Sequence, residues 1–414
     1  MDHQPNRGSA VGSLRLRLPR RRRRAGTSQR GGGVDVVIAM ISSEHGKGGI
    51  ATHVSAVARE LTARGVTVKV IDPSAGAPFP PLLRLSRGLR RTRLDATVRL
   101  DRRWRRFNLQ RGLRRELARA TPQVVYAQDP LAAYATLCAR GSSRVPVAMV
   151  VHYNESQADE FVQHGLLTQG SSTERGIRRF EAMVLARLDG IVYVSEFMRR
   201  RIEHDVPVAA GVPSAVLPNF LPDVAGEPRS ITDQRDCISV GSLVERKNHA
   251  YALRVLASAR ADGRRYTLTV VGDGVEREAL VRLSTELGIA DQVDFTGHRP
   301  DVHDLLRAHR VYVHSAQMDN CPYVIVEALR AGLPVVAASV GGIPEMVGTA
   351  GAGRVWDLER PEDGAAVVSR LLADEAALVE AGRLARARFD ERFRADVVCG
   401  QLVEFLAGLT PVRA

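Results

Sequence analysis

Among the 414 residues no apolar run approaches the roughly 18 residues that a membrane-crossing helix needs. The N-terminus is arginine-rich, yet no apolar stretch follows Arg20 to Arg24, where a secretory leader would carry one, so the sequence predicts a chain that is not exported. Cysteine is scarce: Cys138, Cys237, Cys321 and Cys399 form no CxxC pair, and no His/Cys cluster has zinc spacing. The expectation is four reduced thiols in a cytoplasmic protein.

Positive charge is plentiful but unevenly placed. The net charge is +13, of which residues 1–33 carry +8 (nine Arg, one Asp) and residues 84–119 carry +11 (fourteen Arg, two Asp, one Glu). The rest of the chain is therefore −6, a mildly acidic body. Neither basic segment has zinc-finger or RNP-type patterning, so no nucleic-acid partner is expected. Segment 84–119 could instead form a helix with Arg on one side and Leu85, Leu89 and Trp104 nearby, meeting an anionic membrane surface or an anionic acceptor; the alternative is a solvated basic face.

Residues 1–33, rich in Arg, Gly and Ser, read as a disordered tail. From Val34 a regular alternation begins. "VDVVIAMI" (34–41) reads as a buried strand, and residues 48–65 as a helix with Ile50, Val54, Val57 and Leu61 on one face and Gly65 at its end. "VTVKVID" (66–72) reads as the next strand. Further strands fall at 123–128, 145–152 and 190–195. A proline-punctuated stretch, 216–228, interrupts the rhythm, which restarts with strands at 237–242, 266–272, 292–297, 311–315 and 333–339. The expected fold is α/β: an N-terminal Rossmann-like domain (34–218), a linker (219–235), a second Rossmann-like domain (236–385) and a C-terminal helix (386–414) packing back on the first. In such sheets ligands bind beyond the carboxyl ends of the strands.

Five loops stand at those ends. Glu44 to Gly49 opens a helix, and Gly48 and Gly49 let backbone approach an anion. Gly46, Gly48 and Ala51 also fit a G-x-G-x-x-A spacing with Asp72 placed for a ribose. That dinucleotide reading is weakened because Gly46 lies several residues beyond the strand. In "GSLVERKNH" (241–249), Arg246 and Lys247 form a cationic pair suited to a diphosphate. "VVGDG" brings Gly272 and Gly274 to a tight turn, and "FTGHRPD" (295–301) follows the same logic. Each of these loops is also compatible with a plain structural turn. The fifth, residues 315–345, is the most informative. Pro322 can start a helix ending before Gly332, whose first N–H groups, on Tyr323 and Val324, would face an anion. Asp319 and Glu327 flank that helix start, and a carboxylate can accept from two vicinal hydroxyls.

In this loop the chain resembles the Glu-x7-Glu motif of the retaining GT-B glycosyltransferases of family four. The Gly48-Gly49 loop, "GSLVERKNH", "VVGDG" and "LPVVAASVGGIPE" follow the family's pattern in the same order, over about residues 34–400. The resemblance implies two facing Rossmann-like domains and retaining transfer of a sugar from a nucleotide-sugar, a UDP-sugar by family frequency, to a hydroxyl acceptor. It places Glu327 on the donor ribose, Asp319 against the transferred sugar, and His152, at a strand end of the first domain, near the reacting centre. No metal or other cofactor is implied, and no metal-holding DxD stands at a strand end. Two departures are visible. Asp319 replaces the first Glu, and Ser242 stands where the family carries a diphosphate arginine, a role for which Arg246 is the candidate replacement. Other readings of the same fold are a sugar-nucleotide epimerase, a phosphorylase and, more distantly, an NAD-dependent oxidoreductase.

Overall fold

The computed structural model describes residues 35–42, 49–76, 94–153, 156–163, 165–224, 235–348 and 351–410. The expectations for residues 1–33, for Gly48 and for positions 84–93 lie outside them. Twelve strands form two six-stranded sheets among these residues. The first sheet uses β1 (Val36–Ala39), β2 (Val68–Ile71), β3 (Val124–Ala127), β4 (Val147–Val151), β5 (Gly190–Tyr193) and β6 (Ser214–Val216), in the order β2-β1-β3-β4-β5-β6. The second uses β7 (Arg235–Val240), β8 (Leu268–Val271), β9 (Val293–Gly297), β10 (His309–His314), β11 (Val335–Ala338) and β12 (Gly353–Trp356), in the order β12-β11-β10-β7-β8-β9. Every pairing is parallel. The central strands are buried along their whole length because helices cover both faces, which is why they read as continuous apolar runs and not as alternating ones.

The helices of the first half are α1 (Gly49–Ala63), α2 (Leu94–Arg119), α3 (Pro130–Arg140), α4 (Gln157–Gln163), α5 (Ser172–Leu185) and α6 (Glu196–Asp205). Those of the second are α7 (His249–Ala261), α8 (Arg277–Glu286), α9 (Val302–Arg307), α10 (Tyr323–Arg330), α11 (Ile343–Val347), α12 (Pro361–Ala373), α13 (Glu375–Arg392) and α14 (Ala395–Gly408). None of the described helices is long and apolar enough to cross a membrane. Strand order reverses between β1 and β3 in one sheet and between β7 and β10 in the other. The loops leaving β1, β7 and β10 therefore open at the two crevices where ligands of such sheets bind.

Three expectations change. The start of the proposed linker is not a free connection. Strand β6 precedes it, Leu217, Phe220 and Leu221 are buried, and all three belong to one apolar cluster that runs from β1 and α1 to α10 and α14. Large apolar side chains between two prolines gain more from that burial than from exposure. The boundary at 385 falls inside α13, a single helix from Glu375 to Arg392 capped by Asp374, whose carboxylate accepts from Ala377 N. The last helix, α14, rests on the first half: Arg64 donates to the Asp396 carbonyl (2.6 Å), and the Leu221 and Phe393–Ala395 backbones exchange hydrogen bonds of 3.0 and 2.9 Å. The basic segment is also less uniform than its composition suggests. Leu109 and Leu113 of α2 are fully buried, while Arg105 bonds Asp101 (2.8 Å) and the Ile41 carbonyl (3.3 Å).

Gly272 is required by both backbone conformation and packing. Its φ is +137°, and a Cβ there would lie 1.9 Å from the Gly241 carbonyl oxygen, because the loops after β7 and β8 touch. Gly272→Ala is expected to cost about 3 kcal/mol or more. Thermal melting checks this, and an unchanged midpoint would contradict the packing.

Candidate active site

Helix α10 begins where proline allows it. Pro322 has φ −67° and ψ 130°, outside the helix, and Tyr323 is the first helical residue. Gly332, at φ +67°, stops the helix after two and a quarter turns. The loop ahead of it is clamped from behind by Gly341-Gly342. A Cβ on Gly341 would lie 2.1 Å from the Asp319 carbonyl oxygen, and one on Gly342 would lie 2.1 Å from that of Asn320. The double glycine is thus needed for the loop to sit where it does.

Asp319 is nearly buried and paired. Its carboxylate accepts from the Lys247 ammonium, lies 3.5 Å from His314 Nε2 and is 4.0 Å from Arg246 Nη1. Burial alone would raise this carboxyl, but Lys247 and the His314 ring hold it well below the usual carboxylate range. Arg246 also donates to the Met318 carbonyl (2.9 Å), and Gln317 N donates to the Arg246 carbonyl (2.9 Å), so the loops after β7 and β10 are stitched together. Asn248, the one described non-glycine residue with positive φ (50°), turns the chain from the Glu245–Lys247 turn into α7. Ser242 is exposed. A Cβ on Gly274 would lie 2.3 Å from the Leu243 carbonyl oxygen, so this glycine serves contact between the loops after β7 and β8.

Glu327 lies one turn behind the start of α10 and is half-buried. Burial pushes its carboxyl above the usual range, and the Arg330 guanidinium only partly offsets this. The two make no ion pair; Arg330 Nη1 donates instead to the Pro222 carbonyl (3.2 Å). Glu327 has no side-chain hydrogen bond to a described residue.

The first half brings its own helix start to the same place: a Cβ on Gly49 would lie 3.7 Å from Tyr323 Cδ2. Beside it, His53 and His152 stack edge to face at 4.7 Å, and His152 Nε2 is 3.1 Å from Gln128 Oε1. Burial, then the neighbouring His53, push the His152 ring well below its ordinary range, so it is neutral. Burial likewise takes His53 down to about 4. Asp72, the carboxylate considered for a dinucleotide ribose, accepts from Ser74 N (2.9 Å) and Ser74 Oγ (2.5 Å) and so caps a turn of its own.

Sequence reasoning did not find His314, Asn320 or the role of Glu345 between the domains. His314 lies within β10 and reads as strand. Asn320 donates to the Tyr153 carbonyl (3.3 Å) across the cleft. The Glu345 carboxylate accepts from Glu196 N (2.8 Å) and Phe197 N (2.6 Å), capping α6 of the opposite domain. Glu345→Ala is expected to cost about 1–3 kcal/mol of stability by orphaning those two N–H groups, and a melting curve like that of the wild type would count against this tie. Among the described residues no group of three or more His, Cys, Asp or Glu side chains could hold a metal ion.

Comparison with known proteins bears on this geometry. Residues 47–222 match the family described as Glycosyltransferase Family 4, and residues 225–390 the family described as Glycosyl transferases group 1. The chain carries the two domains of a GT-B glycosyltransferase. The fold of this GT-B chain is shared with sucrose-phosphate synthase from Thermosynechococcus elongatus (TM-score 0.68, 18% identity, 89% of this chain and 98% of that one). It is also shared with HepE from Anabaena, solved with UDP and glucose (TM-score 0.61, 18% identity, 91% and 100%). In sequence, the GT-B chain is 29% identical over 240 residues to the GDP-mannose-dependent alpha-(1-6)-phosphatidylinositol monomannoside mannosyltransferase of Mycobacterium tuberculosis, covering 53% of this chain and 62% of that protein. It is 31% identical over 170 residues to the 2-deoxystreptamine glucosyltransferase of Streptomyces kanamyceticus, covering 36% and 44%. The chain thus spans less than two thirds of the length of either relative.

Proposed function

We propose that this chain transfers a sugar from a nucleoside-diphosphate sugar to a hydroxyl acceptor with retention at the anomeric carbon. The observation that carries the reading is Glu327. It is a half-buried carboxylate with no side-chain hydrogen bond among the described residues, one turn behind a helix start flanked by Lys247 and Arg246. Burying a charge without a partner is unfavourable unless a ligand supplies the hydrogen bonds. A ribose diol on Glu327 and a diphosphate at the N–H groups of Tyr323 and Val324 would use both features of one element.

In this reading the bond from the anomeric carbon to the diphosphate breaks while the acceptor oxygen bonds to the same face. The acceptor proton passes to the leaving phosphate oxygen, so the chain needs no dedicated base. Lys247, Arg246 and the α10 start stabilise the charge that develops on the leaving group. Asp319, held ionised, orients Lys247 and stands against the transferred sugar. Neutral His152 offers a ring nitrogen to a sugar hydroxyl from the opposite wall. Gly49 lets the donor pass close to the α1 start, and no metal takes part. The two family matches give no support to an epimerase, phosphorylase or oxidoreductase reading.

UDP accompanies HepE and GDP-mannose is in the name of the mycobacterial relative, so both bases belong in the test. Calorimetric titration with UDP-, GDP- and ADP-sugars should show one base bound far better than the others, and saturable binding of none would refute the proposal.

A further inference from the structure

A cavity of about 360 Å³ opens in the first domain between α2 and the start of α5. Its walls include Arg99, Arg102, Arg103 and Arg106, with Thr173 and Phe180 opposite. The spacing of three and four residues places all four guanidinium groups on one side of α2. Positive charge gathered in this way is unfavourable unless carboxylates answer it, and here Glu181, Asp129 and Asp101 act on Arg102 from a distance without making an ion pair. No described carboxylate lies within 4 Å of any of the four. The partners present are neutral: Arg99 Nη1 donates to Thr173 Oγ1 (3.3 Å), and Arg102 Nη1 to Gln157 Oε1 (3.1 Å). Arg102 lies over the Phe161 and Phe180 rings (5.7 Å each) and Arg106 over Tyr134 (5.4 Å). Arg106 Nε is buried with no hydrogen-bond partner.

The hydrogen bonds of the nearby acids go to other groups. Asp101 bonds Arg105, Asp129 accepts from Ile41 N and Ala132 N, Glu181 accepts from Ser156 Oγ and Gln157 N, and Glu174 accepts from Gly170 N and Arg178. The start of α5, where Ser171 caps the helix, adds the positive end of a helix dipole to the same space. Burial lowers the Arg102 guanidinium from its ordinary value, and the charges of Glu181, Asp129 and Asp101 offset this only in part, so an anion in the cavity would relieve the remainder.

We propose that this cavity binds a phosphate group carried by the acceptor. A multiply charged oxyanion matches several guanidinium forks better than a single carboxylate does, and the volume lies near the lower end of the roughly 300–1,000 Å³ usual for small-ligand sites. The position fits an acceptor. Arg105 of α2 reaches the Ile41 carbonyl just past β1, and Gln157 follows His152 by five residues, so the cavity stands on the carboxyl edge of the sheet that also carries His152. The inference rests on the transfer reaction proposed above and specifies its second substrate as a phosphorylated one.

The test titrates the full chain, saturated with UDP or whichever nucleoside diphosphate it prefers, with inorganic phosphate, glycerol 3-phosphate and glucose 6-phosphate. A parallel arm measures sedimentation with phosphatidylglycerol and phosphatidylcholine vesicles. Saturable binding is expected that weakens at least tenfold in the double variant Arg99→Gln/Arg103→Gln, whose side chains reach the surface. Arg103→Lys, which keeps charge but not the fork, should fall between. Binding by soluble esters alone identifies a water-soluble acceptor; retention of the chain on phosphatidylglycerol vesicles, lost in the double variant, identifies a lipid phosphate. No binding in either arm, or binding unchanged in the double variant, overturns the proposal. Nucleoside-diphosphate affinity, measured first on the same samples, reports separately on the donor reading.

Discussion

Lys247→Ala is expected to lose stability and donor binding together. Lys247 and Asp319 are mostly buried, at 16% and 13% side-chain exposure, and removing one partner leaves the other as an uncompensated buried charge. That typically costs about 3–5 kcal/mol. The folded fraction should also bind nucleoside diphosphate at least tenfold more weakly, since a charge-assisted contact is worth roughly 2 kcal/mol or more. The double variant Lys247→Ala/Asp319→Ala separates the two effects. It should recover much of the lost melting temperature, because no lone charge remains, but none of the lost affinity. Wild-type affinity in the single variant would remove Lys247 from the donor site.

Glu327→Gln should behave in the opposite way, with affinity lost and stability kept. Glutamine keeps one acceptor oxygen, so about one charged hydrogen bond to the ribose is lost at roughly 1.5–3 kcal/mol, and donor affinity should drop about tenfold to a hundredfold. The stability prediction follows from linkage. Burial raises the Glu327 carboxyl, so the folded state holds this proton more tightly than the unfolded chain does. Such a group favours folding at pH below its unfolded value and opposes folding as pH rises past it. At neutral pH a neutral glutamine in this place should therefore melt no lower than wild type, and higher if its amide packs as the carboxyl does. Glu327 as a structural partner of Arg330 would give the reverse, lower melting with normal affinity, and the observed Arg330–Pro222 hydrogen bond already argues against that pairing.

Much of the architecture was legible because buried parallel strands have a plain signature. "VDVVIAMI", "VPVAMVVH" and "LPVVAAS" each contain four or five successive apolar residues that form a central strand covered on both faces. Edge strands carry less of that signature. In β6 (Ser214–Val216) every residue is half-buried, and in β12 (Gly353–Trp356) two of the four are exposed, so neither stood out. The packing of the first linker residues was hidden for a related reason. Prolines at 218 and 222 mark turns in sequence, while the burial of Phe220 and Leu221 depends on α14, nearly two hundred residues away.

At the site, the cationic pair and the two carboxylates could be named from their loops, but their mutual arrangement could not. Nothing in "SLVERKNH" says that Lys247 closes on Asp319, because that contact spans 72 residues and depends on the β7–β10 pairing. The ties across the cleft, from Glu345 to α6 and from Asn320 to Tyr153, span 149 and 167 residues and were invisible for the same reason. In sequence the arginines of 84–119 suggested one helix side that meets an anionic membrane surface or acceptor, or else a solvated face. Only the fold shows that four of them turn toward α5 and close a cavity.

The most direct test of the proposed transfer is to incubate the chain with its preferred nucleotide-sugar and no acceptor, following the released sugar by proton nuclear magnetic resonance. Water should substitute slowly for the acceptor. The expected products are nucleoside diphosphate and free sugar that appears first as the anomer present in the donor. Release of the opposite anomer would contradict retention, and an epimerised donor, a sugar phosphate or a donor left intact would contradict the transferase reading itself.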